Sequence, residues 1–226
     1  KKSEKPPKLY DLTTLQREAN RKLGFTAEQT LSYTQSLYEK KLITYPRTDS
    51  RYLTSDISEN TPPVIKAVAG LFMPQDTSFT ISMEQVTDNS KVNDHHAIIP
   101  TMSIQNRDIA SLPFGERQIL LLISLRLLSA VGEDCIYEET IVKTNLNNIE
   151  FTAKGKTIIT EGFHSIEKNS PSIQNEKMQA ENTKVLPKIT EGEIFQAKAT
   201  VKEGKTSPPK HFTDDTILAA MENANK

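Results

Sequence analysis

Cysteine is nearly missing from this chain: Cys135 is the only one. No internal disulfide can form, which excludes a small stapled secreted framework and fits a reducing cytosol. Long hydrophobic runs are missing as well. The longest apolar stretch, 119–131, carries Arg126 and falls short of the roughly 20 residues a membrane-spanning helix needs. The opening Lys1-Lys2-Ser3-Glu4-Lys5-Pro6-Pro7 has none of the apolar character of a secretory signal. The chain is therefore expected to be cytoplasmic and to have no membrane partner. There is also no excess of charge of either sign: 28 Lys and Arg stand against 29 Asp and Glu, a net of −1. That balance argues against a protein that merely coats a polyanion. The four histidines and the cysteine show no familiar zinc spacing, so no metal site is expected within the chain. Internal repeats and low-complexity tracts are absent too.

What is present is an ordinary globular composition over 226 residues, with 36% hydrophobic and 25% charged residues. This allows one large domain or two small ones, with a core that needs no crosslinks. The charge is uneven: residues 1–53 carry a net +5 and residues 54–226 a net −6. Thr13 and Gln16 have capping-box spacing, and the period of Leu12, Leu15, Ala19 and Leu23 predicts a helix ending at Gly24. Thr26 and Gln29 repeat that spacing and predict a second helix to about Lys41, with Leu31, Thr34, Leu37, Tyr38 and Leu42 on or near one face. The pair resembles a helix-turn-helix. Pro46 favours an extended Ile43–Thr48. A short helix is expected from Thr61 to Gly70 with proline in its first turn. Residues 71–107 read as loop-rich, with one strand near Phe79-Thr80-Ile81. The strongest expectation is a long helix from Pro113 to Val131, stopped by Gly132. After Cys135 the pattern turns to strands: 141–144, 149–152 and 157–160, with turns at Asn147-Asn148 and Lys154-Gly155-Lys156. A polar loop over 168–184 and a strand from Gly192 to Val201 follow. Residues 207–213 read as extended, with Thr213 capping a last helix from Asp214 to Asn225. The fold class is thus α+β.

Three segments carry chemistry. A phenol such as that of Tyr45 has a pKa of about 10 and is a poor nucleophile unless activated. On an extended segment Arg47 falls on the same side as Tyr45. Its guanidinium can grip a phosphate through two hydrogen bonds and stabilise charge on phosphoryl oxygens. Tyr-x-Arg alone is a common pattern, however, and a half-buried tyrosine beside a solvated arginine is its plain structural reading. In Asp94-His95-His96-Ala97-Ile98-Ile99-Pro100-Thr101, adjacent histidines point to opposite sides, so they do not share one metal. Either can bond a phosphate oxygen or carry a proton near neutral pH. The run Lys205-Thr206-Ser207-Pro208-Pro209-Lys210-His211-Phe212-Thr213 mixes cations, hydroxyls and an aromatic. It suits a single strand through phosphate contacts and stacking, or else a plain proline-rich linker.

Taken together, these stretches resemble type IA DNA topoisomerases. The resemblance rests on 14–19 (Thr-Leu-Gln-Arg-Glu-Ala), 23–27 (Leu-Gly-Phe-Thr-Ala), 27–39 and 42–53. The run 43–53 is similar to the topoisomerase III branch. Residues 94–101 resemble that branch's histidine motif. Residues 208–213 resemble the segment before a DNA-contacting helix, in the family's own order. The resemblance implies that Tyr45 attacks one DNA strand, leaving a 5′-phosphotyrosyl link and a free 3′-hydroxyl without ATP. It implies that Arg47 assists at the phosphate and that His95 is the active-site histidine, with His96 its substitute. Gln16, Arg51, His96, Lys210, His211 and Thr213 would contact single-stranded DNA. It also implies a nucleoid-associated enzyme. The family's Toprim domain, which supplies the Mg²⁺ carboxylates, a glutamate and a lysine, has no counterpart here. Mg²⁺ is therefore expected only in the full-length enzyme, with the Toprim domain as a partner. The non-Met start and the unfinished last helix suggest an excised piece, unable to relax DNA alone. By family, residues 1–9 would be a linker or an incoming arch strand, and residues 10–132 a helical gate domain carrying the tyrosine. Residues 133–205 would be a β-rich arch and hinge, and residues 206–226 the start of a single-strand-binding domain. The first rival is a noncatalytic helix-turn-helix DNA-binding module. A tyrosine recombinase is excluded, because its His-x-x-Arg element precedes the tyrosine and here the histidines follow it.

Overall fold

The computed structural model describes residues 1–74, 80–170, 186, 187, 189–196, 198 and 200–224. The core is built on α5 (Phe114–Ala130), of whose 17 residues 13 are buried. A helix buried on nearly all sides cannot be amphipathic, so its sequence reads as almost continuously apolar. Around it pack α1 (Leu12–Leu23), α2 (Ala27–Glu39), α4 (Pro62–Phe72) and α6 (His164–Asn169). A further short helix, α3 (Ser55–Asn60), precedes α4, and 3₁₀ turns fill much of 84–111.

Local chemistry sets the helix ends. Asp11, not Thr13, is the N-cap of α1, its carboxylate accepting from the Thr14 amide at 2.6 Å. Gly24 closes α1 at φ 72°, a left-handed position that a side chain would strain. Thr26 and Gln29 form the expected capping box on α2, and proline stands in the first turn of α4.

The β part is a three-stranded antiparallel sheet in the order β1 (Lys2–Glu4), β2 (Cys135–Leu146), β3 (Ile149–Thr160). The expected turn at 154–156 does not form. Lys154, Gly155 and Lys156 lie inside β3, paired with Ile141, Thr140 and Glu139. Unbroken pairing from Tyr137 to Leu146 against Ile158 to Ile149 outweighs the weak strand preference of one glycine. The turn at Asn147 (φ 50°) and Asn148 (φ 65°) is real and has the left-handed pair that tight hairpins require. Most side chains of β2 and β3 are exposed. The expected strand at Gly192–Val201 is absent from the described residues of that stretch. Phe79 lies outside the described residues, and Thr80 and Ile81 are irregular. Residues 171–184 of the expected polar loop also lie outside them, while 168 and 169 end α6. Thr213 caps α7 (Asp214–Glu222) through a capping box with Thr216. No helix of the described residues is long and apolar enough to cross a membrane.

Candidate active site

Two segments far apart in sequence are laced together here. Ile43 bridges Pro100, and Tyr10 bridges Ile98. The Thr44 amide donates to the Ile99 carbonyl at 2.9 Å, and the Thr101 amide to the Leu42 carbonyl at 2.9 Å. The Thr44 hydroxyl accepts from the Ile99 amide and donates to the Ala97 carbonyl, and the Thr48 hydroxyl donates to the His95 carbonyl at 2.8 Å. Ala97, Ile98 and Ile99 are buried. Their burial anchors the histidine segment, and the backbone bonds hold the tyrosine loop against it.

From Tyr45 the loop alternates. Pro46, Thr48 and Ser50 are buried; Arg47 and Asp49 are exposed, and Tyr45 is half-buried. This is the period of an extended segment with one face anchored. The Tyr45 ring lies 4.4 Å from that of His95 and meets Tyr38 edge-on at 5.3 Å. Tyr45 lines an open cleft of about 540 Å³ with Tyr38, Glu39, Lys41, Thr44 and His96, among others. His95 is exposed, and Arg47 has no hydrogen-bond or ion-pair partner among the described residues. His96 is held by its Nδ1 contact with the Ala97 carbonyl at 2.8 Å, and burial pushes its imidazole below the ordinary value. A neutral imidazole there is suited to hydrogen bonding rather than to charge.

The other expected contacts sit elsewhere. The Gln16 amide donates to the Ala27 carbonyl at 3.0 Å, tying α1 to the start of α2. Arg51 donates through Nε to Asp11 at 2.6 Å. Lys210 and His211 are exposed on the irregular stretch before α7, sharing no hydrogen bond, ion pair or ring contact with the tyrosine loop. Thr213 is spent as the α7 cap. Sequence reasoning missed the positions of Tyr38 and Glu39 on the cleft. Tyr38 keeps the period of the buried face of α2 yet is 39% exposed, because the last turn of that helix overhangs the loop.

Among the described residues one group could hold a metal ion: Glu4, Cys135 and His164, with ligand atoms within 4.8 Å of one another. Thiol and imidazole suit a soft ion, whereas Mg²⁺ takes oxygen ligands. The Lys156 ammonium already engages Glu4 at 2.9 Å. These residues do not fit Mg²⁺, and Glu39 is the one carboxylate lining the Tyr45 cleft.

Known proteins resemble this chain over nearly its whole length. The profile of the DNA topoisomerase family matches residues 1–225. A DNA topoisomerase 3 of Bacillus cereus is 37% identical over 97% of this chain, which covers 31% of that protein. DNA topoisomerase 3 of Bacillus subtilis (strain 168) is 36% identical over 96% of the chain, which covers 30% of it. The chain thus spans about a third of the length of the curated relatives it matches. Full-length topoisomerase I from Thermotoga maritima has a similar fold, with TM-score 0.65 and 23% identity over 98% of this chain and 36% of that one. With its tyrosine loop and histidine segment joined as described, this chain belongs to the type IA DNA topoisomerase family.

Proposed function

We propose that this chain is the tyrosine-bearing part of an ATP-independent enzyme that cuts one DNA strand, passes another and rejoins the first. One observation carries the reading: a half-exposed phenol lining an open cleft, with a histidine ring against it and, two residues on, a guanidinium that has no partner among the described residues.

In this reading the Tyr45 oxygen attacks a backbone phosphorus of single-stranded DNA. A phosphotyrosyl ester forms at the 5′-phosphate, the bond to the neighbouring 3′-oxygen breaks, and that oxygen leaves as a hydroxyl after taking up a proton. Religation is the reverse attack by the 3′-hydroxyl. The exchanged ester keeps the bond's energy, which is why no ATP is needed. Arg47 holds the phosphate and meets the charge that builds on its oxygens. His95 bonds a phosphate oxygen or shuttles a proton beside the phenol; His96, its substitute, gives its one ring proton to the Ala97 carbonyl and offers Nε2 as an acceptor. Arg51, Lys210 and His211 attract the strand, with Gln16 and Thr213 along its path. Mg²⁺ belongs to the Toprim domain expected in the whole protein and is assigned no step here. The same reading divides the chain into an incoming strand (1–9), a gate (10–132), an arch and hinge (133–205) and the start of a single-strand-binding domain (206–226). It places the whole enzyme at the nucleoid.

The rival reading, a noncatalytic duplex-binding helix-turn-helix, is disfavoured by α2. As the recognition helix it would face phosphates, yet Ala27–Glu39 contains no lysine or arginine. The test uses the whole enzyme carrying this sequence and a 3′-labelled oligonucleotide. Tyr45→Phe is expected to abolish the labelled covalent adduct while binding stays within about twofold, because only the hydroxyl is lost. Adduct formed by the Phe variant would overturn the assignment.

A further inference from the structure

The last described helix is docked by its acids. The Asp214 carboxylate accepts from the Ala27 amide at the N-terminus of α2, at 2.7 Å. Asp215 accepts from Arg17 Nε at 3.0 Å, and Glu222 from Arg17 Nη1 at 2.9 Å. The other Glu222 oxygen stands 4.0 Å from Arg51 Nη2. Opposite these three carboxylates are two guanidinium groups and a helix N-terminus, the partners that phosphates seek. The surface is continuous with the catalytic loop: Arg51 closes the 45–51 segment, and the Leu12 amide at the head of α1 donates to the Thr48 carbonyl at 3.1 Å. Of three arginines along this face, Arg47 has no partner among the described residues, while Arg17 and Arg51 are neutralised from within.

Apolar packing holds α7 only lightly, through the half-buried Leu218 and Ala219. It has no buried residue, and its Ile217 and Met221 are exposed while its acids face α1. Partly exposed ion pairs are individually weak and screened by salt, so such a helix is readily displaced. We infer that Asp214, Asp215 and Glu222 hold the place of DNA phosphates on Arg17, Arg51 and the α2 N-terminus, so that docking of α7 and binding of a single strand to this face exclude each other. The inference rests on the proposed single-stranded substrate and adds a competitor built into the chain. In effect α7 keeps the cationic face closed until a strand arrives.

The test measures binding of a fluorescein-labelled oligothymidylate to the 226-residue chain by anisotropy over a range of salt. Asp214→Asn/Asp215→Asn/Glu222→Gln keeps the helix and removes the competing charge. It is expected to bind about tenfold tighter at low salt. Its log K against log salt should be steeper by about 0.7, the share of one freed arginine on a single strand, since Arg17 is released while Arg51 stays paired with Asp11. Adding Arg17→Ala should cancel most of the gain. Neutralising Glu138, Glu139 and Glu150 on the hairpin controls for net charge alone. A slope and affinity equal to wild type, or a gain matched by the hairpin control, would overturn the inference. Hydrogen exchange gives a readout without variants: the oligonucleotide should speed exchange in α7, and added protection there would mean that strand and helix bind together. If neither wild type nor variant binds the oligonucleotide, the substrate reading itself fails, and the competitor with it.

Discussion

Glu18 shows how residues outside the site support it. It is buried beneath α1, where Arg126 donates to it and Lys22 Nζ lies 2.7 Å away. Arg126 also donates to the Tyr10 hydroxyl at 3.1 Å and lies over the Tyr10 ring. Tyr10 in turn bridges Ile98, so this cluster is one bond from the histidine segment. Burial alone would raise the Glu18 carboxyl, but Arg126 and Lys22 outweigh it and hold it below its ordinary value of 4.5. A carboxyl depressed by folding contributes stability that is full above the unfolded value and is lost as pH falls through the folded one. Glu18→Gln should therefore cost about 3 kcal/mol at pH 7, since it leaves a buried guanidinium without its counter-charge. Urea unfolding should show the gap from wild type narrowing as pH drops below 4.5; a gap constant with pH would sink the assignment. At this scale the sequence brought Tyr45, Arg47 and His95 forward as candidates, because their motifs are local, and the fold sets the Tyr45 and His95 rings 4.4 Å apart. It did not show Arg17 as the partner of Asp215, 198 residues away, since pairing at that distance has no local signature.

Among elements, those that follow from local rules were the legible ones. The capping box at Thr26, the cap at Thr213, the glycine stop at Gly24 and the apolar run of α5 all appear as expected. The hairpin was misread as three strands because most of its side chains face solvent on both sides, which leaves no period-2 alternation, and one glycine then looked like a turn. The glycine that matters is Gly162, between β3 and α6. Its φ is +54°, and a Cβ there would stand 2.3 Å from the Asp134 carbonyl oxygen. Both the backbone strain and the clash with another backbone oppose a side chain, so Gly162→Ala should destabilise by about 1–3 kcal/mol. Gly70, at the end of α4, has nothing within 4 Å of a built Cβ and no left-handed φ. Gly70→Ala should be neutral or stabilise by about 0.4–1 kcal/mol. Denaturant midpoints of the two variants would test this, and the argument fails if Gly162→Ala is as stable as wild type.

For the whole molecule, what is rigid and what is loose are separated. The tyrosine loop and histidine segment are strapped by backbone bonds onto buried residues, whereas α7 rests on α1 mainly through ion pairs and hydrogen bonds, with no buried residue of its own. Motion is therefore expected at the α7 contact and not within the site, which suits the proposed gate, since it would open without disturbing a covalently held strand. The site is also one-sided. It offers a phenol, a guanidinium and imidazoles, but the cleft has one lining carboxylate, Glu39, and the described residues hold no oxygen-rich cluster for Mg²⁺. Phosphoryl transfer leans on positioning and on neutralisation of the phosphate's charge. In the proposed reaction, attack and strand passage would also need a second wall to grip the free end. The 226-residue chain, mixed with negatively supercoiled plasmid and Mg²⁺, is thus expected to bind melted regions yet leave the topoisomer ladder unchanged. Agarose electrophoresis reads this directly. Mg²⁺-dependent relaxation by the purified chain would mean that Glu39 and its neighbours suffice for acid-base work, and that the missing wall is dispensable.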